Sequence, residues 1–546
     1  MADARLSRGQ RVRRFARDFV VDRLCGRAGL RILRTPGGRR RVVVLAETVD
    51  CLLDALALDH RLVREAGRVT VVVGWWTAPW RGWSGRPGPL PGVLRQRVRF
   101  PARGRGTVTV DLVLAQPVPL IEAVTAALFA LRPTTPIAAT SIAQVRPSRS
   151  PLVDEQRLNP RGRRPESYRS DAPRFLLRTG PRLEPAAGNG PPWGWPGASW
   201  RRSSWRRSLQ PELSWRTVTA LRSVGVVECG QLADTGEAAS LLVQLAMTGV
   251  IVHAPAISPA VAELLAPDLL AAIAQPLPSP DTGPLELEMR SVQQRRAALR
   301  GHSVQFGQTK PPSVSALLAT KRAEHLPGIL RAIAEQTYPD LEIVLCLHGI
   351  ELPDACAEFL AQCGRPVQVV PVPGEVSFGV ALGLATARAG GALVTKFDDD
   401  DTYGPEHVWD LVLARGFSGA TLVGKGIEFV YLEDADVTVR RRSGQPEADT
   451  DVVAGGTMLI ARSELEQLGG WRPVPRSVDR GLLDRVNRAG ARIYRTHPLG
   501  YLYHRRSSGH TWAADDDFFL RNPRQRWQGL PELPEFGLWA PSVQAG

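Results

Sequence analysis

Lysine is nearly missing from this chain. Lys310, Lys321, Lys396 and Lys425 are the only four, and every other one of its 69 basic residues is arginine. That skew makes compositional bias a sufficient source for much of the +15 net charge, so basicity alone does not argue for a polyanionic partner. Cysteine is scarce as well: six residues, at 25, 51, 229, 346, 356 and 363, form no CxxC pair. This spacing excludes a zinc cluster or a disulfide framework and fits a reducing compartment. No apolar run reaches the roughly 18–20 residues of a membrane-spanning helix. The greasiest stretch, 260–277, is broken by Glu263, Pro267, Asp268 and Pro276. Residues 1–22 are rich in arginine but lack an apolar h-region, so no secretory signal is expected and a cytoplasmic location is.

What is present is enough chain for two or three domains. The 546 residues are 43% hydrophobic, which suffices for sizeable cores. Charge is unevenly spread: residues 1–300 hold 44 Arg against 24 Asp and Glu, whereas residues 301–546 hold 25 Lys and Arg against 30 Asp and Glu. Opposite balances suggest two regions with two tasks. A basic first half suits peripheral docking to anionic lipid headgroups on the inner face of the cell membrane.

The pattern along the chain divides it further. Residues 1–35 read as a basic arm, loose or helical. Residues 36–147 read as an α/β domain of unknown function, with strands at 42–45, 69–73, 108–114 and 137–145 and helices at 51–65 and 121–131. It has no Gly-rich phosphate loop. Residues 148–215 are rich in Pro, Arg and Trp and predict a linker or docked loop. There Trp200-Arg201-Arg202-Ser203-Ser204-Trp205-Arg206-Arg207 has the interleaving that stacks on bases or sits at headgroups. A nucleic-acid role is disfavoured, because no recognised module accompanies it and the acidic second half would repel phosphates. Residues 216–308 read as mainly helical, with 285–300 a solvated connecting helix. A larger domain at 309–530 and a tail at 531–546 complete the chain.

The larger domain carries the chemistry. A strand at 314–320 ends in the polar turn Lys321-Arg322 and is followed by an amphipathic helix at 325–336. Strands at 341–347, 367–372 and 392–397 follow, with a helix at 379–389. Repeated βα units imply a parallel sheet, with ligands outside the strand C-termini. At the end of the fourth strand stands Lys396-Phe397-Asp398-Asp399-Asp400-Asp401-Thr402-Tyr403-Gly404-Pro405. Four adjacent carboxylates repel one another and call for a counter-ion. Packed hard oxygens suit Mg²⁺ or Mn²⁺, held by one or two carboxylates plus phosphates. A solvated turn capping a helix near Pro405 is the plainer alternative, and the place after a strand in a βα series favours the metal. Asp515-Asp516-Asp517 has no strand before it and reads as a helix N-terminus.

Several of these pieces recur in a known order. They are the strand and turn at 315–322, Gln336-Thr337-Tyr338-Pro339, the Asp398-x-Asp400-Asp401-x-x-x-Pro405 element, Gly455-Gly456-Thr457-Met458-Leu459-Ile460, Leu468-Gly469-Gly470-Trp471, and Asp479 ahead of Leu482 and Leu483. On these motifs residues from about 312 to 512 resemble family 2 glycosyltransferases of the GT-A fold. The resemblance implies a nucleoside-diphosphate-sugar donor, a metal held by Asp400, and Asp398 near the ribose or sharing the ion. It implies donor-site contacts from Thr320, Arg322 and Asp399, and Asp479 as the base that deprotonates an acceptor hydroxyl, inverting the anomeric carbon. Asp479 also reads as a helix N-cap. A histidine after the strand-like 493–504 completes the metal shell in the family; His510 is favoured here over His504. The chain departs from the family at Leu347 and His348, where an acidic pair is usual, and at Ala381-Leu382-Gly383, where Ala-Arg-Asn is usual. Both changes remove polar donor contacts and leave the nucleotide open. The expected activity is a metal-dependent, inverting glycosyltransferase acting on a cell-envelope glycan, a lipid-linked sugar or a small metabolite. The rival readings are a transferase-fold scaffold without activity and a basic half that binds nucleic acid or anionic surfaces.

Overall fold

The structure is a computed structural model, and it describes residues 30–34, 41–46, 49, 52, 65–77, 86–87, 90, 92–101, 105–131, 151–178, 182–185, 213, 217–218, 221–307, 310–506 and 516–537. The chain divides into two compact units. One comprises residues 1–147 with 214–216 and 488–490; the other holds 148–213, 217–487 and 491–546. Among the described residues no helix is long and apolar enough to cross a membrane.

In the first unit, β1 (Leu30–Arg34), β2 (Arg41–Ala46), β3 (Glu65–Thr77), β4 (Val93–Arg99) and β5 (Arg105–Pro119) form one sheet in the order β1-β2-β3-β5-β4. Only β2 and β3 run parallel; the other pairs are antiparallel. Strand side chains alternate between faces, so Val42, Val44 and Ala46 share one face with Val69, Val71 and Val73. That face is covered by α1 (Leu120–Leu131), where Leu120, Ala123, Val124 and Ala127 are buried. The end of the expected basic arm is therefore a strand, since Leu30–Arg34 pairs with Arg41–Ala46. Strand β3 starts at Glu65, inside the expected helix 51–65, most of which lies outside the described residues, as does 137–145.

The described residues of the second unit form three sheets. Strands β6 (Arg174–Arg178), β7 (Arg182–Pro185), β8 (Val226–Cys229) and β9 (Ile251–His253) form the smallest, in the order β7-β6-β8-β9. Helices α2 (Gly236–Met247), α3 (Pro267–Ala274) and α4 (Pro284–His302) accompany it. Residues 216–308 are helical over most of their described length, with two short strands added. Their strands are only three or four residues long, too short for periodicity to mark them. Of the expected linker, residues 151–178 are docked: the Gly162 amide donates to the Glu447 carbonyl at 2.7 Å, and buried Arg163 donates to the carbonyls of Leu221 and Val224. The Arg/Trp segment around 193–212 lies outside the described residues.

The largest sheet begins with β10 (Val314–Thr320), β11 (Leu341–His348), β12 (Val367–Val372) and β13 (Leu393–Phe397), all parallel in the order β12-β11-β10-β13. It continues through β19 (Leu459–Ala461), β15 (Leu422–Gly424), β20 (Ile493–Arg495) and β18 (Ala448–Thr450). Every residue of β10 is buried. Val314, Ala316 and Leu318 enter one core with Leu326, Ile329, Leu330 and Ile333 of α5 (Leu326–Ala334), whereas Leu317 and Ala319 enter another with Ala381, Leu382 and Ala385 of α7 (Phe378–Arg388). Helices on both faces are what a parallel sheet requires; α6 (Asp354–Gln362) contributes Leu360 to the first of these cores. A third sheet, β14 (Thr402–Tyr403), β21 (Tyr501–Arg505), β16 (Phe429–Leu432), β17 (Val437–Arg440) and β22 (Gln525–Gln528), completes the unit. The strand expected at 493–504 is therefore two strands, β20 and β21, in different sheets.

Helix α4 is the clearest correction. Charges at every few positions suggested a solvated connector, yet Glu288, Arg295 and Arg296 are buried. Four of its charges have partners far along the chain: Glu288 with Arg440, Arg295 with Glu447, Arg296 with Asp410 at 2.7 Å and Arg300 with Glu406. Asp410 lies on α8 (His407–Ser418) and also accepts from Lys425 Nζ at 2.8 Å.

Candidate functional site

The four parallel strands end on one edge of the sheet, and β13 delivers the acidic run there. Lys396, on the last turn of that strand, is buried and reaches Asp398 Oδ1 at 2.5 Å and Asp479 Oδ2 at 3.2 Å. Burial disfavours its charge, but the two carboxylates outweigh burial and hold the ammonium above the ordinary lysine range. Asp479 lies in the first turn of α9 (Val478–Arg488), after Ser477, so it is inside the helix rather than its N-cap. Its Oδ1 is shielded from solvent and has no hydrogen-bond partner among the described residues.

The neighbouring glycines make this approach possible. A methyl group at Gly455 would overlap the Asp479 carboxylate, and one at Gly456 would lie 2.5 Å from the Tyr403 hydroxyl and 2.7 Å from Asp398 Oδ2. The Tyr403 hydroxyl in turn accepts from the Asp398 amide at 2.9 Å.

The four aspartates face different ways. Burial pushes the Asp398 carboxyl upward, Asp479 and Asp400 add to the rise, and Lys396 opposes it; the 29% of the side chain left in solvent tempers the effect. Asp399 turns instead to the loop after β10. It accepts from the Thr320 hydroxyl and from Arg322, whose Nε is 3.1 Å away. Burial would raise Asp399, but hydrogen bonds from His325, Arg322 and Thr320 prevail and hold it at about 2. Arg322 also donates to Asp400 Oδ2 at 2.8 Å. Asp401 accepts from the Tyr501 hydroxyl at 2.7 Å and the His504 amide at 3.0 Å. Burial, together with Asp400 and Asp398, pushes it well above the usual carboxylate range.

Thr320, Arg322, Asp399 and Asp400 therefore form one cluster, and Asp398, Lys396 and Asp479 another beside it. His504 Nε2 lies 2.7 Å from Thr402 Oγ1, and burial and Arg506 push its imidazole down to about 4, with Asp400 opposing, so it is neutral at pH 7. His510 lies outside the described residues. At the positions that depart from the family pattern, Leu382 is core and His348 is buried, its Nε2 2.9 Å from the Val376 carbonyl. Leu347 lines an open cavity of about 430 Å³ with Ile350, Glu351, Pro371 and Val372, apolar but for one acid.

Among the described residues, no three His, Cys, Asp or Glu side chains converge as a complete metal cage. Mg²⁺ and Mn²⁺ sites need no such cage when one or two carboxylates are joined by phosphates and water. Asp398 and Asp400 suit that sparser arrangement: their mutual repulsion persists despite Lys396 and Arg322, so negative charge remains for a cation to offset. The sequence motifs pointed to these aspartates and to Asp479 but assigned no part to Lys396, to the Asp401–Tyr501 pair or to the space that Gly455 and Gly456 leave.

No protein-family model matches the chain, and no curated protein matches its sequence. Part of the chain is similar to solved structures of glycosyltransferases. One is the mannosyltransferase PcManGT from Pyrobaculum calidifontis, solved with GDP-Man and Mn²⁺ (16% identity, TM-score 0.28, 37% of this chain and 59% of that one). Another is S. aureus TarS 1–349 with UDP-GlcNAc (15%, 0.30, 37% and 61%). A third is GalNAc-T7 with UDP, GalNAc and Mn²⁺ (13%, 0.31, 36% and 45%). The chain thus spans less than two thirds of the length of each of these three structures.

Proposed function

We propose that the chain is an inverting, metal-dependent glycosyltransferase that moves a sugar from a nucleoside-diphosphate sugar to a hydroxyl acceptor. The observation that carries this reading is the pair Asp398 and Asp479 held on the single buried ammonium of Lys396, with both carboxylates partly exposed, 29% and 31%. One carboxylate stands with the acidic cluster suited to a donor diphosphate, and the other is exposed enough to meet an incoming hydroxyl.

In this reading Asp400 and Asp398 hold a Mn²⁺ or Mg²⁺ ion, with His504 or His510 completing its shell. Bound there, the ion would neutralise charge developing on the diphosphate leaving group. Asp399 fixes Arg322 by accepting from its guanidinium and from the Thr320 hydroxyl beside it, keeping that guanidinium at the edge of the donor site. The Asp479 carboxylate, whose side chain is 31% exposed, takes the acceptor proton, and Lys396 holds it in place. Direct displacement at the anomeric carbon from the face opposite the diphosphate inverts its configuration. The acceptor is a cell-envelope glycan, a lipid-linked sugar or a small metabolite, met in the cytoplasm or at the inner membrane face by way of the basic first half.

Calorimetric titration of UDP, GDP and dTDP, with and without Mn²⁺, tests the donor site. One nucleotide is expected to bind in the presence of Mn²⁺, and Asp400→Ala to lose that binding. Asp479→Asn is expected to bind the nucleotide normally while transfer slows by roughly 10²–10⁴-fold. If well-folded protein bound none of the three, the apolar substitutions around Leu347 and Leu382 would mark an inactive scaffold instead.

A further inference from the structure

A second cavity, of about 270 Å³, opens beside the chain entering the Gly455-Gly456 turn: Val452, Val453 and Ala454, the residues leading into that turn, line it. Arg441, Arg442 and Arg495 line it too, with Phe518 and Phe519. Arg495 ends β20 and is 7% exposed. It donates to the carbonyls of Ser443 and Val452, and its buried Nε has no partner among the described residues. Arg441 follows β17 and lies over the rings of Phe518 and Phe519, 4.1 and 5.1 Å from their centroids, which fixes its plane. Neither arginine makes an ion pair among the described residues. Glu428 is the acid whose charge Arg495 feels, and Glu428 is itself held by Arg440 at 2.8 Å. Arg442 stands at the rim, 70% exposed and 3.9 Å from Glu166. Burial lowers the pKa of both inner arginines, consistent with positive charge left uncompensated there.

We propose that this cavity binds a phosphate group carried by the acceptor. A guanidinium fork matches phosphate oxygens in geometry and charge; Arg441 offers its fork, and Arg495, bound to two carbonyls, adds positive charge beside it, which favours an anionic phosphate over a neutral sugar. The placement rests on the reading of Asp479 as the base, since Ala454 adjoins Gly455, which lies against the Asp479 carboxylate. A phosphate bound beside Ala454 would anchor one end of an acceptor whose hydroxyl reaches Asp479. The chemistry is shared by a soluble sugar or polyol phosphate and by a phospholipid-linked acceptor.

Titration of the full chain with glycerol 1-phosphate, with glycerol as the neutral control, tests the site. Binding is expected for the phosphate ester alone, and Arg441→Gln should weaken it about tenfold or more. Arg441 makes no ion pair among the described residues, so this variant should fold; Arg495→Gln is the second variant. Mn²⁺-dependent nucleotide binding should be unchanged in both. Co-sedimentation with phosphatidylglycerol but not phosphatidylcholine vesicles, lost in Arg441→Gln, would assign the phosphate to a lipid; binding of the soluble ester without it would assign a soluble acceptor. No saturable binding of the ester, equal binding by wild type and Arg441→Gln, or loss in Asp400→Ala alone would overturn the proposal, the last by placing the phosphate at the acidic cluster. Ester binding that depends on Arg441 in a protein that binds no nucleotide would keep the cavity and reject the transferase reading.

Discussion

At the scale of single residues, the lysines are the informative minority. Arginine is this chain's default cation, and three of its four lysines make contacts suited to a compact ammonium: Lys321 reaches the Gly374 carbonyl, Lys396 joins Asp398 to Asp479, and Lys425 joins Asp410 to the Leu499 carbonyl. A planar guanidinium presents a fork instead of a point charge, and it is bulkier. Lys396→Met keeps most of the side-chain length and removes the charge, leaving two partly buried carboxylates facing each other. A loss of about 2 kcal/mol is expected in urea unfolding, below the cost for a fully enclosed pair because Asp398 and Asp479 retain 29% and 31% exposure. An unchanged midpoint would remove Lys396 from the framework of the site. The aspartates of the run and Asp479 were legible from type and position. Which way each one turns was not, because Asp399 is aimed by Thr320 and Arg322, 77 or more residues away along the chain.

At the scale of elements, legibility followed locality. The parallel strands β10, β11, β12 and β13 stand close to their expected positions because β10 and β11 are largely apolar runs of seven and eight residues and helices recur between the strands in the usual βα manner. The short strands β8, β9, β15, β18, β19 and β20 were invisible or blurred, since three or four residues carry too little pattern. Helix α4 misled for another reason. Its charges look solvated only until their partners are known, and those partners lie 106 to 152 residues away. Arg296→Met should cost about 3–5 kcal/mol, because it takes the guanidinium from buried Asp410 and Glu535. The exposed pair Arg480–Asp484 provides the control, and Arg480→Ala should leave the urea midpoint unchanged. Equal effects would mean that α4 is held by apolar packing alone.

At the scale of the molecule, acid is the expected weakness. Burial depresses His302, His348, His407 and His497, the last to about 3, so each is neutral when folded at pH 7. An unfolded histidine takes up a proton near pH 6.5, and these cannot while folded, so stability should fall as pH drops below about 6.5. Asp398 and Asp401, whose folded carboxyls are raised, act in the opposite direction over the upper carboxylate range and moderate the loss. The urea midpoint is expected to be lower at pH 5 than at pH 7; a higher one would mean the raised carboxylates dominate. The two charge balances along the sequence likewise hid a cross-connection, for arginines of the basic half lie against acids of the other within one core. That core contains Val153, Phe175, Leu242 and Leu299 together with Val314, Leu318, Trp409 and Tyr494. A truncation at residue 308, where composition invites the cut, would therefore open the interior of the larger unit. The fragment 309–546 should aggregate on expression while 148–546 remains soluble, and a protease nicking the chain near 308 should leave the two pieces clasped until denaturant is added.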